Sequence, residues 1–300
     1  MINNSGTSPI LVSVLINNYN YGRFIEYCLQ SIFNQTYKHI EIIVYDDGST
    51  DDSIEVLSKY ADKLKLIAKP NYGKYPSFNQ AHGIYTAFLE SKGSIICLLD
   101  SDDAFVHNKV ELIVEEFTRN PELVMVQHNM LKIDVNNIRS GEVIKKNFLI
   151  DENPLSGIYF TRRLDPFFMQ TSALSFSRAY LEKILPLQEG VYELIWADVR
   201  LTRAAVFTER IKSLNVNLSE YRVHSTNDSS KLKDPVFFNT FRTQHYAYFN
   251  EQAKLNGRAE LVPVANRLSK LRLAAYLVFG KHTNKERVRF FATFLTGKAQ

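Results

Sequence analysis

The sequence predicts an α/β protein with a mostly parallel sheet and flanking helices, and three observations support that prediction. Over the first 120 residues, short apolar segments alternate with segments that have apolar residues at helical spacing. The apolar segments are β-branched and uninterrupted, as in strands buried on both faces. Polar clusters follow these segments directly, as at the carboxyl ends of parallel strands.

The first 120 residues contain four predicted strands, each followed by a predicted helix. The expected strands are residues 10–16, 39–45, 64–68 and 95–99, and the expected helices are 23–34, one ending at Tyr60, 77–91 and 108–119. Thr50 or Asp51 can cap the second of these helices.

The pattern is less regular after residue 120. Strands are predicted at 123–128 with a continuation at 131–135, at 171–177 and at 213–221, and helices at 178–185, at 198–210 and, mostly, from Pro235 onward with a break near Asn256-Gly257. Residues 138–154 are expected to be irregular. We expect two halves of one domain, residues 1–120 and 121–233, and a helical C-terminal extension, residues 234–300.

The composition is that of an ordinary globular protein, with 45% hydrophobic and 23% charged residues among 300. The net charge of +4 is too small to indicate a nucleic-acid partner. Cys28 and Cys97 lie in apolar patterns, which favours buried free thiols in a reducing compartment. Without a signal-peptide pattern or a run of 18 apolar residues, we expect a cytoplasmic protein that has no transmembrane helix.

The fourth predicted strand ends in three carboxylates, Asp100, Asp102 and Asp103. Carboxylates this close raise one another's pKa unless a cation lies between them. Mg²⁺ and Mn²⁺ suit such a cluster, because they take one or two protein carboxylates and complete their shell with phosphates and water. The alternative is a solvated turn in which Asp102 or Asp103 caps the helix that begins near Asn108.

Polar residues also follow the first two strands, Tyr19 and Asn20 after one and Asp46 and Asp47 after the other. Because the carboxyl ends of parallel strands meet at one edge of a sheet, these residues and the acidic cluster are expected to converge there. That convergence indicates a binding site at this edge.

Residues 10–118 resemble the family 2 glycosyltransferases of the GT-A fold in the order and spacing of their motifs. The matching segments are Val12-Ser13-Val14 with Tyr19-Asn20, Ser31 through Tyr37, Asp46 through Asp51, Asn71, Gly73, Asn79, Gly93, and Leu99 through Asp103. The resemblance implies a Rossmann-like sheet in which residues 1–120 bind a nucleotide-sugar and residues 121–233 form the acceptor and catalytic half. It is weaker beyond residue 120.

The resemblance implies roles for four of these residues. Tyr19 would pack on the nucleotide base, and Asp47 would accept the N3–H of uracil or thymine, which cytosine lacks. Asp100 would touch the ribose or lie near the metal, and Asp102 would be the main ligand of the Mn²⁺ or Mg²⁺ that bridges the two phosphates. The residues alone leave open a turn role for Tyr19 and a helix-capping Asx turn for Asp47.

The chain departs from the family pattern before the acidic strand. Many members have Ala-Arg-Asn where this chain has Ser77-Phe78-Asn79. Without that arginine, Lys74 becomes the candidate for contact with phosphate, and the alternative is a solvated loop lysine. Asp46 and Asp51 are expected to be structural, in the tight turn and at the helix cap.

Transfer with inversion needs a base on the acceptor hydroxyl and charge neutralisation at the leaving diphosphate. The resemblance places the base at Asp198, which opens a helix, although Ala197 stands where the family usually has Glu. Trp196 could stack on an acceptor sugar. The alternative is that Asp198 only caps its helix, and Glu193 and Asp165 are rival carboxylates.

The segment Tyr221-Arg222-Val223-His224 is similar to a family segment that lies near the diphosphate and the metal. His224 could complete the metal shell, and Arg222 could neutralise phosphate. The alternative for His224 is a polar surface residue. Residues 225–233 are polar and would suit a mobile loop that orders when the donor binds and excludes water.

The C-terminal residues are strongly basic. From Lys254 to Gln300 there are ten Lys or Arg and two Glu, with apolar residues at helical spacing between them. A basic amphipathic helix can lie on an anionic membrane, which would suit lipid-linked acceptors at the inner face of the membrane. The alternative is that these helices pack on the catalytic domain or on a second subunit of a homodimer.

Together these features predict an inverting, metal-dependent glycosyltransferase. It would move a sugar from a UDP- or dTDP-sugar to a saccharide or lipid-linked acceptor, as in cell-surface polysaccharide synthesis. A nucleotidyltransferase is one alternative, although it is expected to carry a Gly-rich phosphate loop after its first strand. A non-catalytic sugar-nucleotide-binding protein is the other, because the Glu before Asp198 is missing.

Overall fold

The computed structural model describes residues 8–73, 75–144, 154–164 and 167–263. Within these residues, nine strands form one sheet that has helices packed on both faces. The first four strands that the sequence predicts are present close to their expected bounds. The predicted α/β class is therefore confirmed.

The strands and helices are numbered in chain order. The strands are β1 (Val12–Asn18), β2 (Ile40–Asp46), β3 (Lys65–Ala68), β4 (Ile95–Asp100), β5 (Ala104–Phe105), β6 (Met125–Ile133), β7 (Arg139–Ile144), β8 (Leu174–Ser177) and β9 (Ile211–Arg222). The helices are α1 (Gly22–Phe33), α2 (Ser53–Ser58), α3 (Pro76–Leu89), α4 (Lys109–Arg119), α5 (Pro154–Thr161), α6 (Arg178–Ile184), α7 (Ala197–Ala205) and α8 (Pro235–Leu255). Short 3₁₀ turns cover Thr171–Ala173, Val206–Thr208 and Asp228–Lys233.

The order of the strands opens a crevice at the end of β1. The order is β3-β2-β1-β4-β8-β6-β9-β5, and β7 pairs with β6. β1 pairs in parallel with both β2 and β4, so that Asn18 lies beside Asp46 and Asn17 beside Asp100. The chain runs from β1 to β2 and β3 on one side and then returns to place β4 on the other side of β1. At such a reversal of the strand order, the carboxyl ends of the strands border a crevice.

Two apolar cores cover opposite faces of the sheet. Along β1, Val14 and Ile16 point toward α1, α2 and α4, whereas Leu15 points toward α3, α6 and α7. Residues of β2 and β4 alternate between the two cores in the same way. Most positions of these three strands are therefore buried, which explains why the strands are nearly continuous apolar runs. Cys28 and Cys97 are buried free thiols, as predicted.

The second half departs from the prediction at its polar segments. Residues 139–144 were expected to be irregular, but they form β7, whose first four residues are exposed at the side of β6. Polar residues are common in an exposed strand at the side of a sheet. Such a strand lacks the alternation of apolar and polar residues from which a strand is predicted. The helix predicted to reach residue 210 ends at Ala205, and a 3₁₀ turn follows it. Residues 171–177 divide into a 3₁₀ turn and β8.

The sheet continues across residue 120, because β4 pairs with β8 and β5 with β9. The division at residues 120 and 233 stays a prediction. α8 begins after Asp234, whose Oδ1 accepts the Phe237 N–H at 2.7 Å, and it ends at the predicted break, where Gly257 has φ +64°. The basic segment from residue 264 onward lies outside the described residues. Among the helices of the described part, none is long and apolar enough to span a bilayer.

Candidate functional site

A cleft of about 860 Å³ lies at the carboxyl ends of β1, β2 and β4. The residues that line it include six of those predicted from the sequence: Tyr19, Asp47, Asp100, Asp102, Trp196 and Asp198. The polar clusters that follow three separate strands therefore meet at one rim, as the parallel arrangement requires. Lys74 falls outside the described residues, and Arg222 and His224 lie behind the lining.

Hydrogen bonds join the loop after β1 to the loop after β2. Asn18 Nδ2 donates to Asp46 Oδ2 at 2.7 Å, and the Gly22 N–H donates to Asp51 Oδ2 at 2.9 Å. Asn20 has φ +57°, and its Oδ1 accepts the Thr50 N–H at 2.7 Å. Asp46 and Asp51 thus have structural roles, as predicted. The joined loops hold the Tyr19 ring at the rim, where it is 47% exposed.

Asp47 is buried in the wall of the cleft and is held by the segment that follows β3. Its Oδ2 accepts from Asn71 Nδ2 at 2.7 Å, and its Oδ1 accepts from the Tyr72 N–H at 3.1 Å. Burial raises the pKa of Asp47 above its ordinary value. These bonds do not run to α2, where Asp51 accepts the Ser53 N–H instead, so the helix-capping alternative for Asp47 has no support in this geometry.

Asp100 lies deeper in the same cleft. Its Oδ1 accepts from Gln80 Nε2 at 3.1 Å, and its N–H donates to Ser172 Oγ at 3.0 Å. Burial, followed by the charges of Asp102 and Asp198, raises the pKa of Asp100 to about 8. Three carboxylates that face one another in this way form a site to which a cation would be attracted.

Asp102 forms a close pair with His224. His224 Nε2 lies 2.9 Å from Asp102 Oδ2, and His224 Nδ1 lies 2.8 Å from Thr226 Oγ1. The His224 ring packs beside Tyr21 and Phe24, with centroids 5.5 and 5.3 Å away. Among the described residues, no group of three or more His, Cys, Asp or Glu side chains is placed to hold a metal ion.

This donor set fits a metal that is bound together with a phosphate-bearing ligand. Mg²⁺ and Mn²⁺ commonly take only one or two protein groups and fill their remaining positions with phosphate oxygens and water. Asp102 supplies a carboxylate at the lining of the cleft, and His224 supplies an imidazole nitrogen beside it. The two residues alone are too few for a metal cage made only of protein.

Arg222 lies behind the acidic turn and does not line the cleft. Its guanidinium is fully buried, with Nε donating to the Asp102 carbonyl at 2.7 Å and Nη1 to the Asp134 carbonyl at 2.6 Å. It stacks over Phe24, 4.5 Å from the ring centroid. The Arg222 N–H also donates to Asp103 Oδ1 at 2.8 Å. The structure therefore does not bring Arg222 to the place where phosphate contact was expected.

α7 presents Asp198 to the cleft in its first turn. Asp198 Oδ1 accepts the Val199 N–H at 2.8 Å, and Trp196 packs 5.3 Å from the ring of Phe241. Gln80 joins this helix to β4, because its Oε1 accepts the Ala197 N–H at 3.3 Å while its Nε2 bonds Asp100. The rival Asp165 is outside the described residues, and Glu193 is not among the described residues that line the cleft.

Several residues of the cleft were given no role by the sequence analysis, and four of them carry buried polar atoms without a hydrogen-bond partner among the described residues. These atoms are Asn18 Oδ1, the Tyr45 hydroxyl, Asn79 Oδ1 and Ser101 Oγ. Each such atom costs about 1–3 kcal/mol in the free protein. Their concentration in one cleft points to a polar ligand. For Asn18, Tyr45 and Ser101 the available signal was a polar side chain within or directly after an apolar strand, whereas Asn79 lies in α3.

The sequence of the chain is similar to those of known glycosyltransferases. Residues 13–185 match the family model of glycosyl transferase family 2. An uncharacterized glycosyltransferase of Nostoc sp. is 34% identical over 221 residues, which are 72% of this chain and 66% of the relative. Chondroitin synthase of Escherichia coli is 34% identical over 141 residues, 46% of this chain but only 19% of that enzyme. The chain thus spans less than two thirds of the length of these relatives.

A solved structure shares the fold at low sequence identity. The crystal structure of S. aureus TarS, residues 1–349, in complex with UDP-GlcNAc superposes with a TM-score of 0.57. The match has 15% identity and covers 96% of this chain and 93% of that one. The predicted GT-A fold is thereby confirmed. Because the family model covers more than half of the chain, the protein belongs to glycosyl transferase family 2.

Proposed function

We propose that this protein is an inverting, metal-dependent glycosyltransferase that moves a sugar from a UDP- or dTDP-sugar to an acceptor hydroxyl. One observation carries the proposal: Asp47, Asp102 and Asp198, which come from three separate segments, line a single cleft. The nucleobase would lie at Asp47, the diphosphate at Asp102 and the acceptor at Asp198. Membership of glycosyl transferase family 2 supports the class of reaction.

The nucleotide would occupy the part of the cleft between the loops after β1 and β2. Tyr19 is exposed enough to pack on a base, and Asp47 is a buried acceptor held by Asn71 and Tyr72. A buried acceptor discriminates strongly, because a base without a matching N–H leaves it unpaired. The fold is shared with proteins that were solved in complex with UDP-GlcNAc and with GDP-Man, which supports a nucleotide-sugar donor.

Asp102 and His224 would hold the metal, together with oxygens of the donor diphosphate. When bound, a divalent metal neutralises the charge that develops on the leaving diphosphate. Arg222 supports this arrangement from behind, since it fixes the main chain at Asp102 and the side chain of Asp103. Lys74 is retained as the candidate for a further phosphate contact.

Asp198 would act as the base. Its carboxylate would accept the proton of the acceptor hydroxyl as that oxygen attacks the anomeric carbon from the face opposite the diphosphate, which inverts the configuration. Trp196 immediately precedes the same helix and lines the cleft, where its ring would stack on an acceptor sugar. Gln80 bonds both the start of α7 and Asp100. It would thereby fix the position of Asp198, the general base, relative to the donor.

We further propose that the acceptor is a saccharide or a lipid-linked saccharide in polysaccharide synthesis. The similarity to chondroitin synthase, a polysaccharide-forming enzyme by its name, supports this. The membrane contact and the homodimer expected from the basic C-terminal residues stay predictions, as does the location at the inner face of the membrane, because those residues lie outside the described part.

The direct test of this proposal is an assay of sugar transfer by the purified protein. Purified protein is incubated with Mn²⁺, a panel of UDP- and dTDP-sugars and a panel of saccharide acceptors, and both nucleotide release and sugar transfer are followed. The proposal predicts acceptor-stimulated release from at least one donor. Nucleotide binding without transfer from any donor would favour the non-catalytic alternative. Formation of a nucleotide-sugar from a sugar phosphate and a nucleoside triphosphate would favour the nucleotidyltransferase.

A further inference from the structure

The described residues that line the cleft include more acidic side chains than basic ones. The acidic residues are Asp47, Asp100, Asp102 and Asp198, and the basic ones are Arg203 and Lys231. The diphosphate of a nucleotide-sugar gains further negative charge when its bond to the sugar breaks. A divalent metal that is held by Asp102 offsets only part of this charge, because the carboxylate itself is negative. A cation from the protein is therefore needed beside the leaving diphosphate.

Of the two basic residues in this lining, Arg203 is the less suited to that contact. It is 4% exposed, and its guanidinium is engaged within the protein. Nε donates to His245 Nε2 at 2.9 Å, and Nη1 donates to Thr202 Oγ1 at 2.7 Å. Arg203 also follows Asp198 on α7, which places it toward the acceptor end of the cleft. Lys231, in contrast, is exposed.

Lys231 lies in the 3₁₀ turn Asp228–Lys233, whose start is fixed to the acidic turn. Asn227, directly before it, places Nδ2 3.5 Å from Asp102 Oδ2, and the Asn227 carbonyl accepts the Ser230 N–H at 2.9 Å. Because a 3₁₀ turn rises about 2 Å per residue, the main chain of Lys231 lies about 8 Å beyond Asn227. The flexible four-carbon stem of the lysine brings its ammonium within reach of a diphosphate at Asp102.

The end of the same turn is fixed toward the acceptor end of the cleft. Leu232 packs against the apolar cluster around Phe241, as does Trp196. The Lys231 carbonyl accepts the N–H of Asp234, the residue that caps α8, at 3.1 Å. The turn therefore runs along the cleft from the metal residues to the acceptor residues. The bond between diphosphate and sugar would break between these two sets of residues.

We propose that Lys231 pairs with the diphosphate of the donor and neutralises the charge that develops on it. This inference rests on the proposed function, because it adds a residue to the site at which the donor would bind. The acceptor oxygen bonds to the anomeric carbon, and its proton goes to Asp198. The electron pair of the broken bond stays on the diphosphate oxygen, to which the ammonium donates a hydrogen bond without losing its proton.

A cation at the diphosphate has consequences that a structural role lacks. The loss of affinity on its removal depends on the phosphates of the ligand, so UDP is affected and uridine is not. It also depends on charge, so that Lys231→Arg keeps most of the affinity that Lys231→Gln loses. Because Lys231 is exposed, both variants should melt close to the temperature of the wild type.

The experiment measures the calorimetric affinity of the full chain for UDP, with and without Mn²⁺, and the affinity for uridine by competition against UDP. Lys231→Gln should bind UDP about tenfold more weakly, the value of one charged hydrogen bond, and uridine as the wild type does. Lys233→Gln is the matched control, because Lys233 is an exposed lysine of the same turn that is not among the described residues lining the cleft. It should keep the UDP affinity of the wild type.

The outcomes separate this inference from the proposed function. Unchanged UDP affinity in Lys231→Gln overturns the inference and leaves the proposed function intact. An equal loss for UDP and uridine, or an equal loss in Lys233→Gln, shows that the turn as a whole is disturbed, and it also overturns the inference. A wild-type protein that binds no UDP overturns the proposed function itself.

Discussion

His224 Nε2 lies 2.9 Å from Asp102 Oδ2, although 122 residues separate the two along the chain. This contact joins the acidic turn after β4 to the segment after β9. Asn227 reinforces it, because its Nδ2 donates to the Arg222 carbonyl at 3.1 Å and lies 3.5 Å from the same Asp102 oxygen. The second half of the chain thereby contributes to the site that the acidic turn begins.

The first prediction concerns Asp102 as a metal ligand. Asp102→Asn keeps the shape of the side chain but removes its charge, so Mn²⁺ should no longer tighten UDP binding, a loss of at least about tenfold. Calorimetric UDP titrations with and without Mn²⁺ measure this difference. Asp62→Asn, an exposed carboxylate on the surface, is the control and should behave as the wild type. Retention of the full Mn²⁺ effect in Asp102→Asn would show that the metal is held elsewhere.

The second prediction concerns Asp198 as the base. Asp198→Asn cannot accept a proton, so the rate of sugar transfer should fall by about 10²- to 10⁴-fold. UDP affinity should stay within about twofold, because no part of the proposed nucleotide contact is removed. Steady-state transfer kinetics and a UDP titration separate the two effects. Glu193→Gln is the matched variant, and a larger loss there than in Asp198→Asn would move the base to Glu193.

The third prediction distinguishes support from phosphate contact at Arg222. Arg222→Met leaves the carbonyls of Asp102 and Asp134 without their donor, so the free energy of unfolding should fall by about 2–4 kcal/mol. Urea unfolding measures it. Arg258→Met removes a half-exposed guanidinium that pairs with the exposed Glu209 and should cost only about 0.5 kcal/mol. An Arg222→Met protein with unchanged stability but much weaker UDP binding would restore the phosphate role.

The fourth prediction uses Lys109, a fully buried lysine at the start of α4. Its Nζ donates to the Ser172 carbonyl at 2.8 Å and to Ser219 Oγ at 3.3 Å, and burial lowers its pKa to about 7. Between pH 7 and about 10 the unfolded chain keeps a proton that the folded protein has lost. Stability should therefore rise with pH there, with a contribution of up to about 1.4 kcal/mol per pH unit.

Lys109→Met removes this titration. Urea unfolding at pH 7, 8 and 9 should give a wild-type curve that climbs relative to the variant as pH increases. Below pH 7 both states of the wild type are protonated, and the two curves should run parallel. Parallel curves across the whole range would mean that Lys109 keeps its charge in the folded protein.

The residues at the rim of the cleft could be predicted from the sequence, because each is a polar residue directly after an apolar strand. Asp47 and Asp102 each follow a buried strand, and the parallel arrangement then brings the strand ends together. The position of Arg222 could not be read in this way. Successive residues of an extended strand face opposite sides, so that Tyr221 lines the cleft while Arg222 points into the body of the protein.

Two other features were hidden for a related reason. Tyr45 stands within an apolar run, where a tyrosine is indistinguishable from a core residue until the partners of its hydroxyl are known. Lys109 begins an amphipathic helix, where a lysine is expected to face solvent. Its burial against Ser172 and Ser219 depends on how α4 meets segments that are more than 60 residues away in sequence.

The most direct test of the account is a titration of the wild-type protein with UDP, once without a divalent metal and once with Mn²⁺. If aspartates from separate segments form one metal–diphosphate site, UDP should bind, and Mn²⁺ should tighten that binding at least about tenfold. No UDP binding under either condition, or equal affinity with and without Mn²⁺ and Mg²⁺, would contradict the central claim.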